Sequence, residues 1–435
     1  MKHISSIFII VSYLLSSDQI PAPNQDHPIL IQGGTIHTIS HGILENADIL
    51  FVDGKITSVG HNLDIPAEAE IIDASGQHVF PGLISAGSTL GLQEIGAVRA
   101  TRDYAEVGAV NPNVRANVSY NPDSELIPIT RSNGILLALS VPRSGLISGT
   151  SSLMMLDGWT WEDATLMHPV GLHLFWPSMN IPKPKPGKQK EKKDKDSRLK
   201  SIQEIDDLIQ ESRAYAQLKA TGSPSFKHDL RLEGMLPGIS GEIPVFIHAN
   251  EVRQIEAAVF WAERQNMKMV LVGGKDAWRA TRLLKDRDIP IIYTQTHSTP
   301  RRRFEQYDQP FITPLQLFEA GIKFCISNSE STFQTPHIRN LPYHAAKAAS
   351  YGLPWEEALR SITLSTAEIL RVNQQVGSLE TGKDATLFIA NGDILDVRTQ
   401  VTTAFIQGRK VDLSDRHKML YSKYQKKYRQ KGILE

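Results

Sequence analysis

The stretch VFPGLISAGSTL, residues 79–90, lies where the sequence changes from one pattern to another. Before it, in residues 27–80, short runs of alternating apolar and polar residues are separated by turn residues, and Asp53-Gly54 is a strong hairpin signal. After it, short apolar runs alternate with stretches of helical period. The stretch therefore predicts the passage from a β-domain into an α/β domain.

The alternating part predicts a parallel sheet with helices outside it, and eight such units would close a barrel. An open, doubly wound sheet is the structural alternative. No G-x-G-x-x-G motif follows the first strand, so dinucleotide binding has no support. Residues 376–413 return to short β runs with Gly turns. We therefore predict a TIM-type (β/α)₈ barrel over residues 83–370, inserted in a small β-sandwich of residues 28–82 and 376–413. The apolar runs are residues 135–141, 153–156, 172–175, 245–247, 269–272, 289–293 and 324–326.

Both borders of the predicted barrel carry a family resemblance. Pro81, Gly82, Leu83, Ile84 and Ala86 fit the pattern V-x-P-G-L-I-D-A-H-x-H, by which imidazolonepropionase-like and dihydroorotase-like proteins enter their barrel, while Ser85 stands where the Asp would be. Residues 356–370, EEALRSITLSTAEIL, and 376–393, VGSLETGKDATLFIANGD, are similar to the exit from it. The chain thus resembles the amidohydrolase superfamily. A fold gives only a prior on function, which has to be argued at the site.

The resemblance implies that the usual metal ligands are missing at several positions. The two His of the first barrel strand, which hold a divalent metal in the superfamily, correspond to Gly87 and Thr89. The sixth-strand His falls near Gly273 or Gly274, and the eighth-strand Asp falls near Asn328 or Ser329. Only the fifth-strand His has a counterpart, His248. The sequence predicts that the usual H-x-H metal pair is absent.

The sequence leaves open a metal site rebuilt from other residues at the C-terminal ends of the strands, where active sites of this fold lie. Besides His248, these ends carry His297 and Glu330. Two imidazoles and one carboxylate make a plausible open site for one divalent metal, most naturally zinc, with His297 and Glu330 as the catalytic candidates. The alternative is that no metal binds and that His248 is a structural residue.

Four further residues are candidates for substrate binding. Ser148 and Thr150 belong to SGTSS, a segment dense in small hydrogen-bonding groups, and Arg131 and Arg301 could hold a carboxylate in a bidentate manner. The alternative is that SGTSS is a tight connector and that the arginines pair with nearby acids.

Two classes of function stay open. As an enzyme, the chain resembles hydrolases of carbon–nitrogen bonds other than peptide bonds, which act on cyclic or linear amides. As a non-enzyme, it would be an inactive barrel that binds a ligand or serves as structural partner of an intact homologue. A small amide-type ligand and either a homo-oligomer or pairing with a related amidohydrolase are the expected partners.

Composition and the peripheral segments limit the partners and the location that the sequence allows. Lys+Arg and Asp+Glu both number 47, so no charge excess points to nucleic acid. Cys325, the only cysteine, excludes an internal disulfide. Residues 1–22 predict a signal peptide and export to the periplasm or beyond, with a frayed apolar N-terminus as the alternative, and no other segment could span a membrane. Residues 182–200 predict a flexible Lys- and Pro-rich loop, and residues 414–435 a basic helix that docks Tyr421, Tyr424 and Tyr428 on the body.

Overall fold

The computed structural model describes residues 19–179, 191–222, 224, 226–329 and 331–433. The strands in chain order are β1 (Ile29–His37), β2 (Ile43–Val52), β3 (Lys55–Gly60), β4 (Glu70–Asp73), β5 (His78–Pro81), β6 (Leu83–Ser88), β7 (Ile135–Ser140), β8 (Ile147–Thr150), β9 (Ser152–Met155), β10 (Thr165–Met167), β11 (Leu172–Phe175), β12 (Val245–Ala249), β13 (Met269–Gly273), β14 (Ile291–Tyr293), β15 (Phe324–Ile326), β16 (Leu387–Ala390), β17 (Val401–Ile406) and β18 (Arg409–Lys410).

The α-helices are α1 (Leu126–Arg131), α2 (Trp161–Ala164), α3 (Glu191–Ala220), α4 (Leu230–Ile239), α5 (Val252–Arg264), α6 (Thr281–Asp286), α7 (Gln309–Glu319), α8 (Leu341–Ser350), α9 (Trp355–Arg360), α10 (Leu364–Ile369) and α11 (Arg416–Gln430). A 3₁₀ segment, Thr332–Asn340, follows β15.

Both ends of the chain contribute strands to one sheet, as the sequence predicted. Its order is β18-β17-β16-β5-β1-β2-β3, with β4 paired to β1. The junction between the two ends is the antiparallel pair β5–β16, in which Phe80 lies opposite Phe388. β1 pairs in parallel with β4 along its first half and with β5 along its second half. Side chains from both ends, such as Ile31, Phe51 and Phe405, share one buried core, so the ends fold as a unit.

The middle of the chain is a mixed α/β domain built on two sheets. Strands β11 to β15 are all parallel and hydrogen-bonded in chain order, and β6 and β7 form a second parallel pair. Between them, residues 147–155 run antiparallel to both neighbours, with β9 beside β7 and β8 beside β11. The prediction of an all-parallel barrel is therefore wrong at this position. Only six residues separate β7 from β8, which is too short for a crossover helix.

The two edges of this domain approach each other through a connecting segment. Ile84 N on β6 donates to Ile362 O at 2.9 Å, and Ile326 N on β15 donates to Ser361 O at 3.1 Å. Residues 361–362 thus lie between the first and last strands of the predicted barrel. The arrangement is consistent with a (β/α)₈ barrel beside a β-domain, and the bounds 83–370 stay a prediction.

The helices pack on the sheet by apolar stripes. In α5, Ile255, Ala258, Val259 and Ala262 recur at helical spacing and are buried. Trp261 of the same helix is fully buried, and its indole Nε1 donates to Asp206 Oδ1 on α3 at 2.7 Å. This contact ties the long helix α3 to α5.

The peripheral segments differ in part from the predictions. Residues 191–200, assigned to the flexible loop, are the first turns of α3, because Lys and Glu are strong helix formers. Residues 182–190 of that loop and residues 1–18 of the predicted signal peptide lie outside the described residues. The basic C-terminal helix is present as α11, but its docking was predicted wrongly, since none of its residues is buried. No helix in the described part of the chain is long and apolar enough to cross a membrane.

Candidate functional site

A cavity of about 510 Å³ opens at the C-terminal ends of β11 to β14, where sites of this fold are expected. We call it the mouth cavity. Its lining is mostly polar and carries a cation, an imidazole and several amides. The lining residues are Tyr104, Arg143, Phe175, Trp176, His248, Asn250, Gln254, Val272, Gly273, Thr294, Gln295, Ser329, Ser331 and Thr332.

His248 reaches this cavity because β12 is a fully buried central strand that ends at its edge. The strand pairs in parallel with β11 and β13. The chain then turns into α5 through a capping box, in which Gln254 Oε1 accepts from the backbone N–H groups of Asn250 (2.8 Å) and Glu251 (3.4 Å). This cap fixes the strand end, and with it the backbone that positions His248.

A second imidazole lies directly behind His248. A hydrogen bond of 2.9 Å joins His173 Nδ1 on β11 to His248 Nε2. His173 is 1% exposed, and its Nε2 has no hydrogen-bond partner in the described part of the chain. Burial, reinforced by the nearby His248 and Arg143, holds the pKa of His173 well below its usual value of 6.5. His173 is therefore neutral at pH 7 and orients its neighbour without adding charge.

An aromatic ring and a cation lie next to His248 in the lining of the mouth cavity. The ring of Phe175 stacks on His248 at a centroid distance of 3.9 Å. The guanidinium carbon of Arg143 lies 5.4 Å from the centroid of the Phe175 ring. Arg143 is the only Lys or Arg in the described lining of the mouth cavity, and no Asp or Glu belongs to it. This lining suits a polar ligand with acceptor groups or negative charge.

Gly87 and Thr89, the first-strand positions that correspond to the missing His pair, are both buried. Thr89 is 1% exposed, and a hydrogen bond of 2.5 Å joins its Oγ1 to Oγ1 of Thr335, which is 2% exposed. The Thr89–Thr335 bond attaches the segment after β15 to the end of β6. That segment also accepts a hydrogen bond at Thr332 O from Gln93 Nε2 (2.9 Å).

The sixth- and eighth-strand positions are also taken up by other groups. Gly273 has a φ of +100°, and a Cβ added there would lie 2.7 Å from Asn250 Oδ1. The amide of Asn250 thus fills the space that a side chain at residue 273 would need. After β15, Ser329 lines the mouth cavity, while Asn328 Nδ2 donates to His337 O (3.1 Å) and approaches His344 Nε2 (3.3 Å).

The candidate metal ligands do not come together in the described part of the chain. Among the described residues, no three His, Cys, Asp or Glu side chains come together as ligands of a metal ion. His297 is not part of the mouth-cavity lining; its ring stacks on that of His344 at a centroid distance of 4.0 Å. Glu330 lies outside the described residues. The single-metal site of His248, His297 and Glu330 therefore stays a prediction.

The substrate-binding candidates are not in the described lining of the mouth cavity. Arg131 is 5% exposed and pairs with Asp157 (Nη1–Oδ1, 2.9 Å). Ser148 is fully buried, and Thr150 Oγ1 donates to Val114 O (3.2 Å). Arg301 forms an ion pair with Glu251 at the start of α5.

The neighbouring arginine shows the same pattern of pairing. Arg302 Nη1 donates to Asp276 Oδ1 at 2.9 Å and also forms an ion pair with Glu305. Burial works against the charge of Asp276, but the hydrogen bonds from Arg302 and Val252 outweigh it and hold the pKa of Asp276 below its usual value. These arginines have carboxylate partners within the protein.

Sequence reasoning missed the residues that the fold places around His248. His173 stands in LHLF, an apolar strand in which a single imidazole is the visible signal. Because side chains alternate along a strand, His173 and Phe175 share one face of β11, and the pairing with β12 carries both to His248. Arg143 and Asn250 follow β7 and β12, so their position after a strand was the available clue.

Comparisons with known proteins agree with this architecture. The model of the amidohydrolase family matches residues 324–411. A dihydroorotase of Geotalea daltonii is 48% identical over 56 residues, which are 13% of this chain and 13% of that protein. A D-hydantoinase of Geobacillus stearothermophilus is 43% identical over 81 residues, 19% of this chain and 16% of that protein. Amidohydrolase tasK of Hapsidospora irregularis is 20% identical over 410 residues, 83% of this chain and 39% of that protein.

Among solved structures, an amidohydrolase of Thermotoga maritima superposes with a TM-score of 0.78 at 26% identity, covering 88% of this chain and 99% of that one. A prolidase in complex with N-methylphosphonate-L-proline has a TM-score of 0.54 at 15% identity, with the same coverage, and shows a likeness of fold alone. The curated relatives are matched over well under half of their own length. Together with the entry and exit sequences around the α/β domain, these matches support membership of the amidohydrolase superfamily.

Proposed function

We propose that this protein hydrolyses carbon–nitrogen bonds other than peptide bonds in a small cyclic or linear amide bound in the mouth cavity. The observation that carries the proposal is the position of His248, an imidazole that lines a polar cavity at the strand ends and rests on a buried, neutral His173. The names of the similar proteins, a dihydroorotase and a D-hydantoinase, support an amide as substrate.

The lining supplies the groups that such a reaction needs. An imidazole can take a proton from water and return one to the leaving nitrogen, so His248 is assigned the role of general acid–base. His173 holds the ring of His248 from behind and acts as a positioning residue. Arg143 and the amide of Asn250 stand in the same lining and stabilise negative charge that develops on the amide oxygen.

A second function, binding without turnover, has a specific observation in its favour. The positions that correspond to metal ligands on the first and sixth strands are filled by the Thr89–Thr335 hydrogen bond and by the amide of Asn250 beside Gly273. A barrel with these positions occupied would serve as a ligand-binding or structural partner of an intact homologue. The same mouth cavity would then hold the ligand without cleaving it.

The test is a hydrolysis screen of the purified full chain against dihydroorotate, substituted hydantoins and linear N-acyl amino acids, with and without added zinc. Product release is followed by mass spectrometry, and binding of each compound by calorimetry. The test variant is His248→Gln. His61→Ala, a histidine on the exposed surface of the β-domain, is the matched control.

Hydrolysis by the wild type that falls about 100-fold or more in His248→Gln, as for loss of a general acid–base group, supports the enzyme. The control should keep full activity. Binding of an amide that is lost on Arg143→Met, with no turnover of any compound, supports the non-catalytic function. If no compound in the screen is bound or hydrolysed, both assignments of the mouth cavity are contradicted.

A further inference from the structure

The C-terminal helix α11 carries a strong net positive charge that the mouth cavity does not explain. Residues 416–433 contain seven Lys and Arg and no Asp or Glu, although the whole chain has 47 residues of each sign. Every residue of this segment except Gln425 is exposed. The helix is well capped, since Asp415 Oδ1 accepts from His417 N (2.7 Å) and Lys418 N (3.0 Å).

The same helix carries an aromatic stripe that the described protein leaves exposed, with the Lys427 ammonium near the rings of Tyr424 and Tyr428. Tyr421, Tyr424 and Tyr428 recur at spacings of three and four residues and so lie on one face. Their exposed fractions are 69%, 46% and 40%, and Leu420 at the edge of the stripe is 41% exposed. Most of the Lys and Arg fall on the opposite side of the helix at 100° per residue. An exposed stripe of this kind marks an interaction surface.

We propose that α11 binds peripherally to the surface of an anionic lipid bilayer. A helix with an aromatic stripe and a cationic face lies in the plane of the bilayer interface, with the rings at the headgroup level and the cations on the lipid phosphates. The charge complementarity favours an anionic surface, because residues 416–433 contain seven cations and no carboxylate, with Asp415 pairing with Lys418 at 4.0 Å.

Other occupants fit the same observations less well. A second copy of α11 would bring seven further cations against the first seven, and this repulsion opposes pairing through the helix. A nucleic acid would neutralise the cations through its phosphates but would leave the stripe of Tyr421, Tyr424 and Tyr428 in water. A lipid interface satisfies both faces of the helix at once.

The experiment is co-sedimentation of the full chain with two kinds of vesicle, phosphatidylcholine alone and phosphatidylcholine mixed with phosphatidylglycerol. The test variant combines Lys423→Glu, Lys426→Glu and Lys427→Glu. Each Lys near an anionic surface contributes roughly fivefold to binding, so this variant should bind mixed vesicles at least about 100-fold more weakly. Added salt should weaken binding by the wild type, because the charges are exposed to solvent.

The matched control makes the same change of net charge elsewhere, with Arg231→Glu, Arg264→Glu and Arg282→Glu on α4, α5 and α6, all exposed residues. It should bind mixed vesicles within about threefold of the wild type. A second variant, with Tyr421, Tyr424 and Tyr428 all changed to Ser, should weaken binding about tenfold or more, because it removes the aromatic stripe. Thermal unfolding checks that every variant remains folded.

Three results would overturn the proposal. The first is equal binding to both kinds of vesicle, or to neither. The second is an equal loss of vesicle binding in the control and in the lysine variant. The third is a wild type that ignores mixed vesicles but retards double-stranded DNA, with the retardation lost in the lysine variant, which would assign α11 to nucleic acid.

Discussion

Replacing Arg131 by methionine tests whether this arginine serves the fold or a ligand. Arg131 Nη1 donates to Asp157 Oδ1 (2.9 Å) and to Leu156 O (2.8 Å). Asp157 Oδ2 accepts from Arg409 Nη1 (2.9 Å), so two cations share one buried carboxylate between the α/β domain and the β-domain. The side chain of Asp157 is 2% exposed, and those of Arg131 and Arg409 are 7% and 12% exposed.

The expected loss in the free energy of unfolding follows from this burial. Removing one partner of a buried ion pair costs about 3–5 kcal/mol, because the other charge is left in a poor solvent. In Arg131→Met, Asp157 keeps Arg409 and the N–H of Ala22 (3.1 Å) as partners, so we expect the lower end, about 3 kcal/mol. In Asp157→Asn, both guanidinium groups lose their counter-ion, and we expect the upper end, about 5 kcal/mol.

The assay is equilibrium unfolding in urea, followed by tryptophan fluorescence, together with calorimetric binding of any ligand found for the mouth cavity. Arg301→Met is the matched control, since the Arg301 side chain is 53% exposed in its pair with Glu251 and should contribute less than about 1 kcal/mol. If Arg131→Met unfolds like the wild type but loses the ligand, the reasoning from the ion pair is refuted and Arg131 belongs to the binding site.

Three further predictions concern the positions around the mouth cavity. Gly273→Ala should lower the free energy of unfolding by about 1–3 kcal/mol, because the residue has a φ of +100° and its new Cβ would lie 2.7 Å from Asn250 Oδ1; an unchanged urea midpoint would contradict this. Thr89→Val, which keeps the shape but removes the hydrogen bond to Thr335, should cost about 1 kcal/mol in the same assay, and a stabilised variant would show that the bond does not form. Burial lowers the pKa of His344 to about 3 from 6.5, so this residue stays neutral when folded but is protonated in the unfolded chain below pH 6.5. The stability it supports is lost as the pH falls, and between pH 7 and pH 5 the wild type should lose about 2 kcal/mol more than His344→Gln, whereas parallel pH profiles would rule out a buried neutral imidazole.

Much of the architecture follows from local pattern. Turn residues and alternating apolar residues predicted that both ends form strands, and those strands do share one sheet. The alternation of strands and helices predicted the parallel run from β11 to β15. The antiparallel course of residues 147–155 was not predicted, because an apolar run has the same local signature in either direction. Strand direction is decided by the length of the connection and by the neighbours across the sheet.

For the C-terminal helix, the sequence predicted which residues share a face but not whether that face is buried. The spacing of its tyrosines predicted one aromatic face, and this inference needs only the geometry of a helix. Whether the face is buried depends on what lies opposite it, which is a property of the whole fold. In the structure, Tyr421, Tyr424 and Tyr428 face solvent.

At the candidate site, the sequence by itself determined which side chains exist. Gly87 and Gly273 offer no side-chain ligand atom, and His248 follows the apolar run of residues 245–247, whatever the surrounding structure. Only the tertiary structure decided what surrounds these positions: Thr335 bonded to Thr89, and His173 behind His248. These partners stand 246 and 75 residues apart in the chain. A hydrogen bond depends on distances of a few ångströms, and folding sets such distances between residues that no local pattern links.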